Sequence, residues 1–386
     1  MSSTTLAPIM TSKQTTGAAI LGIGTSVPPT SYTQQFALDF LSRLSAFSDK
    51  ERRFLRRLYQ NTAIDKRHTV IDDYGKDPSA YTFYPKNDQL LPEPGLEARN
   101  DVFIRESDRL AEQAARSLLA ALPRFDPRAI TDLITVTCTG FSAPGFDLHL
   151  VKALGLRRDI HRSQVAFMGC YAGFPAMRLA RDICVANPGA HVLIVAVELC
   201  TLHFQLKPQL DFMIANALFA DGAAAVLVGP ASDGGGAASG PGAKLLLDGF
   251  ASRIIPESEQ AMAWKIGARA FDMRLSAYVP RLIETNIRPI VEDLLAAAGD
   301  AFEDVDIWAI HPGGRAILDR TAAALDIPES SLMHSYEVLR EYGNMSSATI
   351  FFVLQRILGD SRSGTVFATA FGPGLTVDSA LLRKLP

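Results

Sequence analysis

Short apolar segments rich in β-branched residues alternate with longer segments of helical periodicity along most of this 386-residue chain. The strand-like segments are AAILGIGTSVPP (18–29), LITVTCTG (133–140), VAFMGC (165–170), HVLIVAVELC (191–200), AAAVLVG (223–229), KLLLDGFASRII (244–255), VDIWAIH (305–311), TVFATAFG (365–372) and LTVDSALL (375–382). The helical segments cover about 36–60, 105–122, 172–187, 260–298, 314–326 and 344–358. This alternation predicts an α/β protein whose sheets are covered by helices.

A glycine-rich stretch divides the chain into two parts that repeat this plan. Residues 232–243 lack core-forming side chains and are predicted to be a linker. The parts on either side, 18–231 and 244–386, both alternate strands and helices but share no visible sequence repeat. Residues 1–17 are rich in Ser and Thr and are expected to form a disordered leader, not a secretion signal. Residues 69–101, rich in Tyr, Pro, Asp and Asn, are predicted to be an irregular exposed excursion.

The composition is that of a chain with a large hydrophobic core, and its net charge gives little information about binding partners. Hydrophobic residues make up 48%, charged residues 20%, and the formal net charge is −3. This balance provides no basic field for nucleic acid, and no apolar run of about 18 residues predicts a membrane span. The cysteines form neither a metal-binding cluster nor a disulfide framework, so no metal site is expected and reduced thiols in the cytoplasm are predicted. They are Cys138, Cys170, Cys184 and Cys200.

Cys170 lies where an apolar strand ends and a turn of small residues leads into a helix. A thiol at this position faces backbone N–H groups and the positive end of a helix dipole, which can lower a cysteine pKa to roughly 3.5–7.5. The same N–H groups could hold an oxyanion. Pro175 requires the first helical turn to start late or to be distorted. The alternative is a buried structural thiol, as most cysteines are.

Two further polar residues occupy positions that suit a site. His311 ends a strand beside a Pro-Gly-Gly turn, where it can point into a cleft and pair with a thiolate. A hydrogen-bonded turn residue is the competing interpretation. Asn344 opens a helical segment, and on its own it is a good N-cap. The later turn FGPG (371–374) is either simple turn chemistry or a backbone that approaches a substrate closely.

Taken together, these segments resemble the signature regions of the type III polyketide synthases of the chalcone and stilbene synthase kind. The matching stretches are MGCYAGFPAMRLARD, WAIHPGGRAILDR, EYGNMSSATIFF, FGPGLTVDSALL and ALFADGAAAVLVG. The similarity runs from about residue 18 to the C-terminus and is weakest over 69–101. It implies an α/β thiolase fold with five layers, α-β-α-β-α, in which two similar halves meet at the active site. Residues 18–231 would carry the nucleophile, and 244–386 the histidine and asparagine.

The resemblance implies a catalytic triad of Cys170, His311 and Asn344. Cys170 would hold an acyl-CoA starter as a thioester. His311 and Asn344 would donate hydrogen bonds to the malonyl thioester carbonyl and stabilise the enolate left by decarboxylation. Repeated Claisen condensation of malonyl-CoA and a final cyclisation would follow. Acyl-CoA and malonyl-CoA are therefore the expected substrates, and no cofactor or metal is expected. The resemblance also implies a homodimer.

The resemblance also implies the residues that shape the cavity. The substrate-binding positions are Phe219, Met273, Cys138, Thr139, Cys200, His203, Trp264, Ser346 and Gly374. The coenzyme A positions are Arg57, Gly313 and Ala316, and Arg57 is the retained member of a cationic cluster on the 54–61 helix. His203 would orient a starter or steer cyclisation, or else simply pack in a strand.

Three positions depart from the family pattern. Met273 replaces a phenylalanine at the gate between the coenzyme A tunnel and the cavity, and it makes that gate more adaptable. Trp264 stands where the plant enzymes have glycine. Its bulk is expected to favour small starters or fewer extensions unless space opens elsewhere. Ala143 takes the place of a residue that the family inserts into the neighbouring subunit's cavity.

Three other functions are compatible with parts of this pattern. A priming β-ketoacyl-acyl-carrier-protein synthase shares the Cys-His-Asn chemistry, although the GNMSSA and FGPGLT segments favour the polyketide branch. A thioesterase-like cysteine acyltransferase would not need an enolate-stabilising Asn344. A catalytically silent partner subunit is disfavoured by the intact triad.

Overall fold

The computed structural model describes residues 17–231 and 244–385, so the predicted linker and all but the last residue of the predicted leader lie outside the described residues. The strands are β1 (Ala18–Ser26), β2 (Ser31–Thr33), β3 (Lys66–His68), β4 (Asp132–Thr137), β5 (His161–Ala166), β6 (Val192–Leu199), β7 (Asp221–Pro230), β8 (Leu245–Ile254), β9 (Met262–Ile266), β10 (Phe271–Leu275), β11 (Val305–Ile310), β12 (Gly364–Gly372) and β13 (Thr376–Lys384). The helices are α1 (Gln34–Ser42), α2 (Asp49–Gln60), α3 (Leu96–Ala121), α4 (Phe146–Ala153), α5 (Gly173–Ala186), α6 (Leu210–Leu218), α7 (Val279–Ala298), α8 (Arg315–Leu325), α9 (Met333–Tyr342) and α10 (Thr349–Gly359).

Nine strands form one mixed sheet in the order β11-β12-β13-β8-β1-β7-β6-β4-β5. In each half the first strand pairs antiparallel with the last, β1 with β7 and β8 with β13. Parallel pairs lie further out, β4 with β5 and β6, and β11 with β12. The half-sheets join through β1 and β8, where Ala19 faces Leu246 and Ile20 faces Leu245. The strand order therefore repeats between the halves, which confirms the predicted plan.

Alternating side chains place each half-sheet between two layers of helices. In β6, Val192 and Ile194 face a central core, whereas Leu193 and Val195 face an outer core beneath α3. This is the period of two that a strand buried on both faces requires. Helices α5 and α10 fill the central core between the half-sheets, and α7 and α8 cover the outer face of the second half. The five layers α-β-α-β-α of a thiolase-like fold result.

The predicted helix over 260–298 is wrong in its first part. Strands β9 and β10 form a separate two-stranded hairpin there, and only α7 is helical. Side chains alternate between the two faces of a strand, and this explains why the segment forms strands instead of a helix. Trp264 and Met273 face each other across the hairpin, and both lie on the cavity wall. A helix would have sent these two side chains in different directions.

Other boundaries also differ from the predictions. Helix α3 begins inside the excursion that was predicted to be irregular, and the VAFMGC strand is replaced by β5, an edge strand with exposed polar residues. The helix predicted from residue 344 begins only at Thr349, after a short 3₁₀ turn. Helices α4, α6 and α9 are absent from the predictions. Among the described residues, no helix combines the length and the apolar character that crossing a membrane requires.

Candidate active site

A cavity of about 450 Å³ lies where the two halves meet, and Cys170, His311 and Asn344 all border it. Its volume is within the range of about 300–1,000 Å³ that is typical of small-molecule sites. The three residues are 141 and 33 positions apart in the chain (311 − 170 and 344 − 311). The fold therefore brings together the residues that the sequence predicted as a group.

Cys170 lies in the turn between β5 and α5, three residues before α5 begins at Gly173. Gly169, with φ of 85°, shapes this turn, and a Cβ there would lie 2.3 Å from the Pro373 ring. A Cβ on Gly372 would lie 2.4 Å from Cδ1 of Tyr171. Two glycines thus let the turn that carries the thiol and the FGPG turn pack directly against each other.

The Cys170 thiol is buried, and burial raises its pKa to about 12. The nearby Glu198 carboxylate also raises the pKa, whereas hydrogen bonds from the side chains of Ser346 and Asn344 lower it. This corrects the expectation of a lowered pKa in the free protein. Desolvation by burial is the largest of these effects on the pKa, and α5 itself begins only at Gly173.

His311 follows β11, and its backbone N–H donates a 2.8 Å hydrogen bond to the carbonyl of Thr369 in β12. The side chain is 1% exposed, and burial lowers the pKa of the imidazole to about 3. Among the described residues, neither ring nitrogen has a hydrogen-bond partner. Buried polar atoms are nearly always paired, so this ring is available to a bound molecule.

Asn344 is held by hydrogen bonds of both its backbone and its side-chain amide. Its Oδ1 accepts from the backbone N–H of Ser346 at 2.8 Å, and its Nδ2 donates to the carbonyl of Gly313 at 3.2 Å. The first bond fixes which end of the amide carries the donor hydrogens. Because α10 starts only at Thr349, Asn344 is not an N-cap, and the capping interpretation is wrong.

The predicted gate residues Phe219 and Met273 both border the cavity. The backbone on either side of Phe219 is bonded to Asn344, whose N–H donates to Leu218 and whose carbonyl accepts from Ala220. Arg67 Nη1 donates a 2.6 Å hydrogen bond to the Phe219 carbonyl. Phe219 and Asn344 therefore share one short backbone ladder.

Three aromatic rings that contact one another form part of the cavity wall, Trp264, His203 and Phe271, and we call them the deep wall. His203 stacks on Phe271 with ring centroids 4.1 Å apart and an angle of 9°. Its Nε2–H donates to the Thr139 carbonyl at 2.8 Å, and its Nδ1 accepts from the Phe271 N–H at 3.1 Å. Both nitrogens are engaged, and burial lowers the pKa of His203 to about 3. The His203 ring therefore packs in the cavity wall, from a 3₁₀ turn and not from a strand, and its role toward a starter stays a prediction.

The remaining predicted wall residues are also on the cavity: Cys138, Thr139, Cys200 and Ser346. Cys138 Sγ accepts a hydrogen bond from the Gly169 N–H at 2.9 Å, so this thiol supports the turn that carries Cys170. Gly374 does not border the cavity, contrary to the prediction. Phe371 and Pro373 lie there instead, and the positive φ of Gly374, 72°, serves the turn.

The predicted coenzyme A residues divide into two groups. Gly313 and Ala316 border the cavity, at the start of α8. Arg57 is exposed and is absent from the wall, because α2 presents Leu58 to the cavity instead. Two arginines border the cavity, Arg67 and Arg315, and Arg315 also pairs with Asp319 at 3.3 Å. Among the described residues, no three His, Cys, Asp or Glu side chains form a possible metal site.

Glu198 is a buried carboxyl that the sequence analysis missed. Its oxygens accept hydrogen bonds from the Cys138 N–H and the Thr139 hydroxyl, both at 3.0 Å, and from the Ser347 hydroxyl. Burial raises its pKa to about 7. The signal that could have identified it is a single acidic residue inside the apolar segment HVLIVAVELC, because an isolated buried charge is costly.

The cavity, its buried thiol and the thiolase-like layers together define a condensing enzyme, and comparison with known proteins agrees. The family described as chalcone and stilbene synthases, N-terminal domain, matches residues 8–232, and the corresponding C-terminal domain matches 247–386. Bisdemethoxycurcumin synthase of Oryza sativa subsp. japonica is 34% identical over 95% of this chain and 92% of its own length. An α-pyrone synthesis polyketide synthase-like protein, Pks18 of Mycobacterium tuberculosis, is 31% identical over 97% and 93%.

Solved structures show the same relationship. PKS-I from the brown alga Ectocarpus siliculosus superposes with a TM-score of 0.88 at 30% identity, covering 97% of this chain and 100% of that one. The C-terminal type III polyketide synthase domain of Steely1 from Dictyostelium gives a TM-score of 0.85 at 28% identity, with 96% and 100% covered. The chain belongs to the chalcone and stilbene synthase family and is a type III polyketide synthase, an acyltransferase.

Proposed function

We propose that this enzyme loads an acyl-CoA starter onto Cys170, extends it with malonyl-CoA and releases a cyclised product. The observation that carries this proposal is the buried His311 ring, which has two unpartnered nitrogens on the same cavity as the Cys170 thiol and the Asn344 amide. Such a set can stabilise charge that develops on a bound thioester, because its donors are fixed in a site shielded from water.

In the first step the Cys170 sulfur attacks the starter's thioester carbon. The thiol proton passes to His311, the bond between the acyl carbon and the coenzyme A sulfur breaks, and the departing thiolate takes that proton. Since burial favours the neutral thiol and the neutral imidazole, this transfer leaves a positive charge on His311 and a negative charge on the thioester oxygen until the thiolate departs. The starter is left as a thioester on Cys170.

In the second step His311 and the Asn344 amide donate hydrogen bonds to the malonyl thioester carbonyl. Loss of carbon dioxide leaves an electron pair on the α-carbon, and that enolate attacks the acyl group on Cys170. A carbon–carbon bond forms, and the Cys170 sulfur leaves, ready to accept the lengthened chain again. Decarboxylation itself generates the nucleophile, so the proposed reaction requires no metal and no redox cofactor.

The test is to incubate the purified protein with malonyl-CoA and a panel of acyl-CoA starters, following carbon dioxide and product masses. Wild type should give extended products without acyl carrier protein. Cys170→Ala should make none while still releasing carbon dioxide, because decarboxylation uses His311 and Asn344. If wild type only hydrolyses acyl-CoA, or works only with acyl carrier protein, the proposal fails.

A homodimer is part of the same proposal, and the open edge of β5 supports it. This strand pairs with β4 on one side, and residues 161–164 are exposed. An unpaired edge is a template for another strand, and a second copy could pair with it about a two-fold axis. Ala143 lies in the cleft beside Ser163 and Gln164 at this edge. Light scattering should give twice the chain mass, and Ser163→Pro should shift it to the monomer.

The cysteines support a cytoplasmic location within this proposal. All four are buried thiols outside any disulfide: Cys138, Cys170, Cys184 and Cys200. An oxidising compartment would threaten the three that border the cavity, whereas the reducing cytoplasm keeps such thiols available. Fractionation of the producing cells, with enzyme activity as the readout, tests this location.

A further inference from the structure

Arg99, in α3, is a fully buried arginine to which the proposed reaction assigns no part. Its guanidinium lies over the Phe83 ring, 5.9 Å from the centroid, and Nε donates to the Pro94 carbonyl at 2.9 Å. Nη2 is 3.8 Å from the carboxylate of Glu93, whose side chain is also largely buried. Burying a charge is costly, and apolar residues can often replace a buried ion pair without loss of stability. A charge retained at this position therefore indicates that its directional hydrogen bonds are needed.

The remaining bonds of this guanidinium hold residues 202–206, a segment that follows β6 and mostly belongs to neither helix nor strand. Nη1 of Arg99 donates to the carbonyls of Leu202 and Phe204, the latter at 3.0 Å. The carboxylate that pairs with the guanidinium accepts a further hydrogen bond from the Leu206 N–H at 3.0 Å. A segment without a backbone ladder depends on such bonds for its position, and a planar guanidinium can fix several carbonyls at once. Arg99 therefore ties the 202–206 segment to α3.

The 202–206 segment in turn holds the β9–β10 hairpin. His203 Nδ1 accepts from the Phe271 N–H at 3.1 Å. Gln205 Nε2 donates to the Phe271 carbonyl at 3.2 Å and to Asp272 Oδ1 at 3.0 Å. Among the described residues, the hairpin pairs with no strand of the nine-stranded sheet, so its position depends on contacts of this kind. A continuous path of hydrogen bonds therefore leads from the buried guanidinium to the start of β10.

The charge of Arg99 also suits the protonation state in which His203 can hold the hairpin. Nδ1 of His203 accepts from the Phe271 N–H only when the ring is neutral, because both nitrogens of a protonated ring are donors. Burial and, to a smaller extent, the charge of Arg99 lower the pKa of His203, to about 3. The arginine therefore supports the hairpin in two ways, through the position of the segment and through the neutral state of its histidine.

We propose that Arg99 is a positioning residue for product length, which sets the place of Trp264 and Met273 on the cavity wall through the 202–206 segment and the hairpin. It does not itself border the cavity, so it acts only through these other residues. The inference rests on the proposed function, because product length has a meaning only if chains are extended on Cys170. Side chains that shape a site must be held to within about 0.5 Å, and a loosened support should let the wall yield to longer chains.

The test is Arg99→Met, which removes every donor of the guanidinium and leaves a long apolar side chain. Wild type and variant are incubated with malonyl-CoA and acetyl-, hexanoyl-, benzoyl- or lauroyl-CoA, and masses are compared for the starter that wild type extends fastest. The ratio of the product with one further malonyl-derived unit to the main wild-type product should rise at least about tenfold, the effect of about one lost hydrogen bond to a charged group. Release of carbon dioxide from malonyl-CoA alone should stay near the wild-type rate, because the segment carries no member of the proposed triad.

The matched control is Arg105→Met, the same substitution at an exposed position of α3, which should leave the product ratio within about twofold. Arg99→Lys keeps the charge without the planar fork, so its ratio should lie between those of wild type and Arg99→Met.

Gln205→Met keeps the proposal decidable if Arg99→Met does not fold. It leaves the arginine in place but removes the side-chain bonds from the segment to β10, and it should raise the same ratio. An unchanged ratio in folded Arg99→Met or in Gln205→Met would overturn the proposal. Equal losses of extension and of carbon dioxide release, with unchanged product masses, would overturn it as well, because they would mean general structural damage. Failure of the proposed function looks different, since wild type would then extend no starter.

Discussion

The indole N–H of Trp264 donates a 2.7 Å hydrogen bond to the backbone carbonyl of Cys138, linking the β9–β10 hairpin to the end of β4. The same ring stands edge-on to His203 and to Phe271, with centroids 5.4 and 5.8 Å away. A side chain held by one hydrogen bond and two ring contacts has little freedom to move aside for a growing chain. The position of Trp264 on the cavity wall is therefore fixed by the protein itself.

Removing the indole should lengthen the products. Trp264→Gly takes away the ring that closes the deep wall, so we expect additional malonyl-derived units in the product masses at a fixed starter. Trp264→Phe is the control, because it keeps a ring but loses the bond to Cys138, at about 1 kcal/mol of stability. Mass spectrometry of the two variants decides the matter. Identical product masses in wild type and Trp264→Gly would contradict a limit set by this wall.

Asn344→Ala should slow decarboxylation more than it slows loading of the starter. The amide is proposed to stabilise the enolate, and removal of one such donor typically costs about 10²–10³ in rate. Ser346→Ala is the matched control, since Ser346 is also hydrogen-bonded to Cys170 but is not a proposed donor to the malonyl carbonyl. Release of carbon dioxide from malonyl-CoA without a starter is the measurement. Comparable losses in both variants would assign Asn344 a structural role only.

Glu198 should make the folded protein less stable as the pH rises. Burial raises the pKa of this carboxyl from 4.5 to about 7, so between these values the folded state holds a proton that the unfolded state has released. The stabilisation is fully present below about pH 4.5 and is lost as the pH rises through about 7. The shift of about 2.5 units corresponds to about 3 kcal/mol.

Glu198→Gln isolates this effect because glutamine does not titrate. The free energy of unfolding of the variant, minus that of wild type, should increase by about 3 kcal/mol between pH 4.5 and 7. Urea unfolding across a pH series measures the difference and cancels the contribution of other groups. A difference that stays flat, or that decreases with pH, would show that the carboxyl is ionised throughout.

Two glycines with positive φ should respond very differently to the same substitution. In Gly374→Ala the added Cβ meets no atom closer than 3.8 Å. The free energy of unfolding should fall by about 1 kcal/mol, because alanine disfavours the left-handed backbone. Gly169→Ala adds a clash at 2.3 Å with the Pro373 ring, so we expect about 3 kcal/mol and a displaced Cys170. Thermal unfolding and the rate of Cys170 alkylation give the comparison. Equal costs at both positions would mean that the two turns are not tightly packed.

The sequence predicted those parts of the fold in which one segment determines its own structure. Strands β6 and β7 are long apolar runs, and their burial on both faces leaves few alternatives. The hairpin was missed because its residues are neither continuously apolar nor bounded by strong turn signals. Its strand pairing depends instead on packing against α6 and the cavity. Tertiary contacts of this kind override local propensity.

The same distinction separates the features of the candidate site that the sequence predicted from those that it did not. Cys170, His311 and Asn344 were predicted because each stands in a long motif. The engagement of His203 was not predictable, since its partners are Thr139 and Phe271, 64 and 68 residues away. The raised pKa of Cys170 likewise depends on burial by several elements, whereas the sequence shows only a strand, a turn and a helix.

In the part of the chain that the structure describes, the β9–β10 hairpin pairs with no strand of the nine-stranded sheet, although its Met273 and Trp264 side chains both border the cavity. Substitutions in it can alter the space around an intermediate while the nine strands keep their pairing, and at Trp264 they also remove the hydrogen bond to the end of β4. In a duplicated gene, this short insertable unit could drift while the chemistry stayed intact. Diversification of product within one lineage would then require few substitutions.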